Sequence, residues 1–279
     1  MSSLRVLRDT LRPLISPTTE YKARRVLASL APKRHVSSHK VLVHAALWKT
    51  ASQWVRLILS DPGLIAYGAY QPFVYSHMKR QFDAGMTPVS GRRMAILCAY
   101  DAPSEVNRIA DLSAAQAFFV VRDPRTMFVS WYASTRFIHV PTPGVAAHRE
   151  AMVGLSEHDA LLYMLDAFED AFFPLIEAWL AHSGIRVFKF EELTRAPFQE
   201  WRKILSQLDI AAPDDVLKST LDRYRIEKLQ KRPGSDGEVD KYSAAGQRDW
   251  RTDLGEGAGA IIGERLSSMS ARLGYGVDP

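Results

Sequence analysis

Apolar residues in this chain follow two patterns. One is the short run. Residues 41–46 (VLVHAA) and 117–121 (AFFVV) are such runs, as expected for strands buried on both faces of a parallel sheet. A further strand is expected at 185–190. The other pattern has helical spacing. It covers 53–59, a helix opening at Asp123-Pro124, a long helix over 157–182 bent or broken at Pro174, and helices at 198–208, 214–224 and 264–273. Asp123-Pro124 reads as an N-cap followed by the first helical residue. Residues 68–87 are aromatic and loop-rich. Tyr67, Tyr70, Phe73, Tyr75 and Phe82 there either line a pocket or pack as core. Residues 137–154, with Pro141, Thr142, Pro143 and Gly144, read as a surface loop over a site, and 232–246 as a Gly-rich loop. The sequence holds no internal repeat and no low-complexity tract.

The junction between the first strand and the first helix carries chemistry. Residues 41–54 read VLVHAALWKTASQW: a strand, a turn of small and hydroxyl residues around Lys49, then a helix start. The first backbone N–H groups of a helix lack intrahelical partners, and its dipole favours negative charge there. Thr50 and Ser52 add hydroxyl donors, and Lys49 adds a cation. This is not the G-x-x-x-x-G-K-[ST] nucleotide loop, because both glycines are missing. The plainer reading of Lys49 is a solvated lysine at a strand end. Arg122 ends the run 117–121, and Ser130 follows eight residues later, two helical turns on. Ligands of open α/β sheets bind beyond the carboxyl ends of the strands, so Lys49 and Arg122 would share that rim. The plainer readings are an Arg122–Asp123 ion pair and an ordinary helix-face serine.

These segments resemble the sulfotransferases that use 3′-phosphoadenosine 5′-phosphosulfate. KTASQW is similar to their 5′-phosphosulfate loop, PKSGTTW. VVRDPRTMFVSWY resembles their 3′-phosphate motif, an Arg-Asp-Pro-Arg with a serine eight positions after the first arginine. VFKFEELTRAP (187–197) resembles the family's strand-plus-YEDL segment, with Phe190 in place of tyrosine. RPGSDGEVDKYSAAGQRDWR (232–251) is a degenerate likeness of the C-terminal RKGxxGDW segment. The resemblance implies an α/β, P-loop-like three-layer fold with a central parallel sheet flanked by helices. It implies a sulfotransferase domain over 41–279 behind a basic N-terminal extension, 1–40. Phosphosulfate is the implied donor, with no metal. The acceptor is a small molecule, glycan or lipid bearing a hydroxyl or amine. Lys49 would be catalytic. Lys49, Thr50, Ala51, Ser52, Gln53, Trp54, Arg122, Ser130, Phe190 and Arg248 would bind the donor.

The sequence also departs from the family pattern. Ala51 stands where the loop glycine is usual, a cost if that position needs positive φ. Gln53 replaces a phosphate-binding threonine. The RKG cluster is missing, leaving Lys241, Arg248 or Arg251 to supply its charge. The histidine that many members carry after the next strand is absent, and its position falls near Cys98. Asp101 follows and is the candidate base, or else a helix cap. His44 is expected in the core, while His77 and His139 are expected to flank the acceptor pocket. Two other classes stay open: a P-loop kinase-type phosphotransferase, and a non-catalytic relative that binds nucleotide or a partner.

Composition narrows the picture further. The chain has 279 residues and 47% apolar content, enough for one large core. One cysteine excludes an intrachain disulfide and fits a reducing, cytoplasmic compartment. No uncharged apolar run reaches the roughly 18 residues of a membrane span. The net charge is +5, but residues 1–40 hold nine Lys or Arg against two acids, so the rest of the chain is slightly acidic. No nucleic-acid partner is expected. Leu4, Leu7, Leu11 and Ile15 can share a helix face beside Arg5, Arg8 and Arg12. The extension is therefore a packed surface helix, an amphipathic helix making peripheral contact with a membrane or partner, or a cleaved targeting peptide. The sequence leaves the oligomeric state open.

Overall fold

The computed structural model describes residues 41–86, 93–225, 249–255 and 257–276. The N-terminal extension and Arg248 lie outside them. Five strands form one parallel sheet in the order β2-β3-β1-β4-β5: β1 (Val41–Ala46), β2 (Tyr70–Val74), β3 (Arg93–Ala99), β4 (Ala115–Val121) and β5 (Arg186–Lys189). The expected α/β architecture is present, with helices on both faces.

Two core clusters show how the sequence builds the three layers. On β1 and β4, Val41, Val43, Ala45, Ala117, Phe119 and Val121 face one cluster. Leu42, Phe118 and Val120 face the other. Side chains alternate with period two, so a strand with no polar face must be covered twice. The first face is covered by α5 (Pro124–Ala133), α7 (Glu157–Leu180) and α11 (Ala258–Arg272). The second is covered by α1 (Ser52–Leu59), α2 (Pro62–Gly68), α9 (Pro197–Gln207) and α10 (Asp214–Arg223). The remaining helices are α3 (Tyr75–Asp83), α4 (Pro103–Asn107), α6 (Pro143–Ala151) and α8 (Phe190–Arg195).

Three expectations change. Residues 68–87 hold β2 and α3 rather than a loop, and Tyr70, Phe73 and Tyr75 are buried core. Residues 143–151 form α6: Thr142 is its N-cap, accepting from the Val145 amide at 3.4 Å, and Pro143 takes the first helical position. Helix α7 runs unbroken through Pro174. Its buried stripe, including Phe168, Phe172, Ile176 and Trp179, holds it on the sheet despite the missing N–H.

One irregularity in the sheet positions the site. Val43 of β1 pairs with Ile96, but Ala45 pairs with Ala99, so β3 carries one extra residue there. Cys98 sits in this stretch with φ 60°, the left-handed region. Such a bulge reverses which face the following side chains occupy. Regular alternation from Ile96 would put Cys98 and Tyr100 on the α5–α7 face. They pack instead on the α1 face.

Candidate functional site

The carboxyl ends of β1, β3, β4 and β5 converge on one cavity of about 360 Å³. From β1 come Trp48, Lys49, Ala51, Ser52, Gln53 and Trp54; from β3, Tyr100; from β4 and α5, Arg122, Ser130 and Trp131; from β5, Phe190. Ser134, Thr135, His139, Thr142 and Val145 close the far wall. The lining contains Lys49 and Arg122 but no Asp or Glu among the described residues, so the cavity suits an anion.

The β1–α1 loop is tightly wound. Lys49 has φ 71° and Ala51 φ 57°. The glycine-favouring backbone anticipated at position 51 is therefore present, carried by an alanine. The Val55 amide makes the first intrahelical bond, to Ala51 O at 3.1 Å. The amides of Ser52, Gln53 and Trp54 precede it and sit in the open first turn, where anions bind. Thr50 departs from its expected role. It is fully buried, donates its hydroxyl to Leu47 O at 2.9 Å, and does not line the cavity. Its hydroxyl closes the turn.

Tyr100 braces this loop. Its phenol lies 2.6 Å from the Ser52 hydroxyl and accepts from Gln53 Nε2 at 3.2 Å. Burial raises the Tyr100 pKa, which keeps the phenol neutral. Sequence reasoning missed this residue, because regular alternation points it to the other face. Cys98, beneath it, bonds Ser52 O at 3.3 Å, and burial pushes its thiol up to about 11.

Arg122 is buried and donates from Nη1 to Lys49 O at 3.2 Å, joining the end of β4 to the loop. Its guanidinium lies 4.8 Å over the Phe190 ring, which orients its plane. Asp123 has other partners. It caps α5 by accepting from the Arg125 amide at 3.0 Å and pairs with the Arg125 side chain at 2.8 Å. Arg125 in turn stacks 4.7 Å over buried Trp250. Glu191 accepts from the Asp123 amide at 3.2 Å and from the Tyr275 hydroxyl at 2.7 Å, so it fixes backbone.

Trp54 plays two parts. It is buried in the core against Trp201, donates to Tyr224 O at 2.8 Å, and still lines the cavity. The candidate base Asp101 is not in the cavity lining. Its carboxylate accepts from the Tyr75 hydroxyl at 2.8 Å and pairs with Lys79, while its backbone oxygen accepts from Trp179 Nε1 at 3.0 Å. Cationic and phenolic groups of α3 capture it before it can face the site. His44 is core as expected: it stacks on Phe118 at 4.9 Å, and burial lowers its pKa to about 3. Of the two flanking histidines, His139 lines the cavity and His77 does not. No cluster of three potential metal ligands occurs among the described residues. No described helix is long and apolar enough to cross a membrane.

No family model and no curated protein matches the sequence. Solved structures do. Mouse sulfotransferase SULT7A1, complexed with PAP, is 13% identical with a TM-score of 0.56, over 84% of this chain and 88% of that one. The sulfotransferase from Alicyclobacillus acidocaldarius is 13% identical with a TM-score of 0.39, over 85% and 97%. Retinol dehydratase, in complex with androsterone and inactive cofactor PAP, is 12% identical with a TM-score of 0.43, over 91% and 83%. The likeness to the mouse enzyme establishes the sulfotransferase fold for this chain.

Proposed function

We propose that this chain transfers a sulfuryl group from 3′-phosphoadenosine 5′-phosphosulfate to a hydroxyl of a small acceptor. The observation that carries the reading is the pairing of two cationic anion sites on one cavity. The Lys49 loop stands at the end of β1, and Arg122 with Ser130 stands at the end of β4. A donor with phosphates at both its 5′ and 3′ positions needs such a pair.

In this reading the open amides of Ser52, Gln53 and Trp54 hold the 5′-phosphate. Lys49 meets the negative charge that grows on the bridging oxygen as the S–O bond breaks. Arg122, with its plane set by Phe190, grips the 3′-phosphate through paired N–H groups, and Ser130 adds a hydroxyl. Trp48, Trp131 and Val145 give the acceptor an apolar wall, with Thr135 and Thr142 as polar points. Magnesium–ATP is a poorer fit. The loop lacks both P-loop glycines, and the Asp123 carboxylate is held by Arg125. Residues 41–279 form the proposed catalytic domain. For the basic extension 1–40, the membrane-contact reading is one of the three named above, and vesicle sedimentation with and without residues 1–30 tests it.

Calorimetric titration with 3′,5′-adenosine bisphosphate, against magnesium–ATP, tests the donor. Binding of the bisphosphate, weakened in Lys49→Ala and Arg122→Ala, is expected. Unchanged affinity in both variants, or preference for magnesium–ATP, overturns the assignment. Turnover with radiolabelled donor and a panel of phenols, alcohols and amines separates an enzyme from a non-catalytic binder.

A further inference from the structure

Transfer to a neutral hydroxyl releases a proton, and the cavity wall carries one imidazole, His139. Four described lining residues are titratable: Lys49, Tyr100, Arg122 and His139. Lysine and arginine side chains are cations at neutral pH, and burial keeps the Tyr100 phenol protonated. Imidazole is the side-chain type that exchanges protons near neutrality.

The hydrogen bonds around His139 determine which nitrogen is available. Its Nδ1 lies 2.8 Å from Val140 O. A carbonyl can only accept, so Nδ1 carries the proton and Nε2 of the neutral ring holds the lone pair. The backbone beneath is fixed. The His139 amide donates to Ser134 O at 2.7 Å, closing the π turn Ser134–Ile138 that extends α5. The His139 carbonyl accepts from Arg149 Nη2 at 2.8 Å, and Arg149 Nε donates to Thr135 O at 2.7 Å. The backbone is thus fixed between α5 and α6, and the exposed ring's bond to Val140 O sets its tautomer.

We propose that His139 Nε2 is the general base of this site, a role that rests on the sulfuryl-transfer reading above. The acceptor oxygen forms the new S–O bond, and its proton passes to Nε2. The bond from sulfur to the bridging oxygen breaks, and its electron pair stays on the 5′-phosphate beside Lys49. The other charged or titratable groups of the wall are Lys49, Tyr100 and Arg122; Arg149 on α6 bonds the His139 carbonyl, and Arg136, three residues before His139, pairs with Glu157.

The test is His139→Asn, whose amide can still donate to Val140 O. With an alcohol acceptor, kcat/KM should fall by roughly 100-fold or more. With a nitrophenol already ionised at the assay pH, the loss should shrink to a few-fold, because a phenolate needs no base. Affinity for 3′,5′-adenosine bisphosphate should stay within twofold of wild type. Equal losses on both acceptors would mean that His139 only shapes the wall, and no loss on either would mean that it is idle; each overturns the proposal alone. A wild-type protein that binds no bisphosphate and sulfates nothing overturns this role and the sulfotransferase reading together.

Discussion

Tyr100→Phe tests whether the β3 bulge serves the anion loop. The substitution removes one oxygen and keeps the ring, which packs edge-on to Trp48 at 6.4 Å. The lost oxygen lies 2.6 Å from the Ser52 hydroxyl and 3.2 Å from Gln53 Nε2. Ser52 is 6% exposed, so its bond counts at close to the usual net value of about 1 kcal/mol. Gln53 is exposed and can turn to water, so its bond adds a few tenths at most. The sum is about 1–1.5 kcal/mol. If the bond holds the loop in its binding shape, a ligand must restore that order in the variant. Affinity for 3′,5′-adenosine bisphosphate should then drop about five- to tenfold. The melting temperature should fall by about 2–4 °C. Titration calorimetry at fixed pH and salt measures the first, and scanning calorimetry the second. Ser52→Ala should produce a similar loss, and the double variant should lose little more than either single one. A lower melting temperature with unchanged affinity would refute the link between bulge and loop. Fully additive losses would refute the hydrogen bond as its means.

Other expectations follow from the same geometry. Ala51→Gly should relieve roughly 1–2 kcal/mol of left-handed strain, offset by about 0.4–1 kcal/mol of added chain entropy. A net gain of about 0.5–1 kcal/mol in urea unfolding is expected; a net loss would show that the methyl group packs better than its φ suggests. Arg122→Lys should weaken bisphosphate binding about 10- to 100-fold while changing adenosine 5′-phosphate binding little. Equal losses for both nucleotides would detach Arg122 from the 3′-phosphate. His44 has its pKa lowered to about 3 by burial, so between there and about 6.5 the unfolded chain takes a proton that the folded chain refuses. Stability is therefore full above pH 6.5 and lost as pH falls, at up to about 1.4 kcal/mol per unit. His44→Leu should flatten the stability slope between pH 5 and 6.5 by about one proton, and an unchanged slope would clear His44 of this role.

Much of the sheet and part of the site were legible along the chain. Residues 41–46 and 117–121 announced β1 and the core of β4 because strands covered on both faces admit no polar alternation. Asp123-Pro124 announced α5 because capping and a fixed proline φ are local. The loop from Lys49 to Trp54 and Arg122 were visible because each lies beside a strand end, and Ser130 because its spacing from Arg122 matches the resembled motif. Residues 68–87 were harder. Their aromatic content reads equally as pocket or core, and only packing put Tyr70, Phe73 and Tyr75 inside. At 137–154, Thr142-Pro143 was a cap signal overshadowed by neighbouring Pro141 and Gly144. Asp101 was chosen by its distance from a missing histidine. Sequence distance says nothing of Tyr75 and Lys79, which reach it from another helix.

By itself the sequence determined the strands buried on both faces, the helix that starts at Asp123, and the cationic loop at Lys49. All of these rest on neighbours along the chain. Only the tertiary structure decided what shares the cavity. One extra residue at the β3 bulge turns Tyr100 onto the anion loop. Helix α6 and its arginine hold His139 in the far wall, while Asp101 is bound elsewhere. These outcomes depend on sheet register and on which distant helix arrives at a strand end. Residue patterns of period 2 or 3.6 carry no record of either.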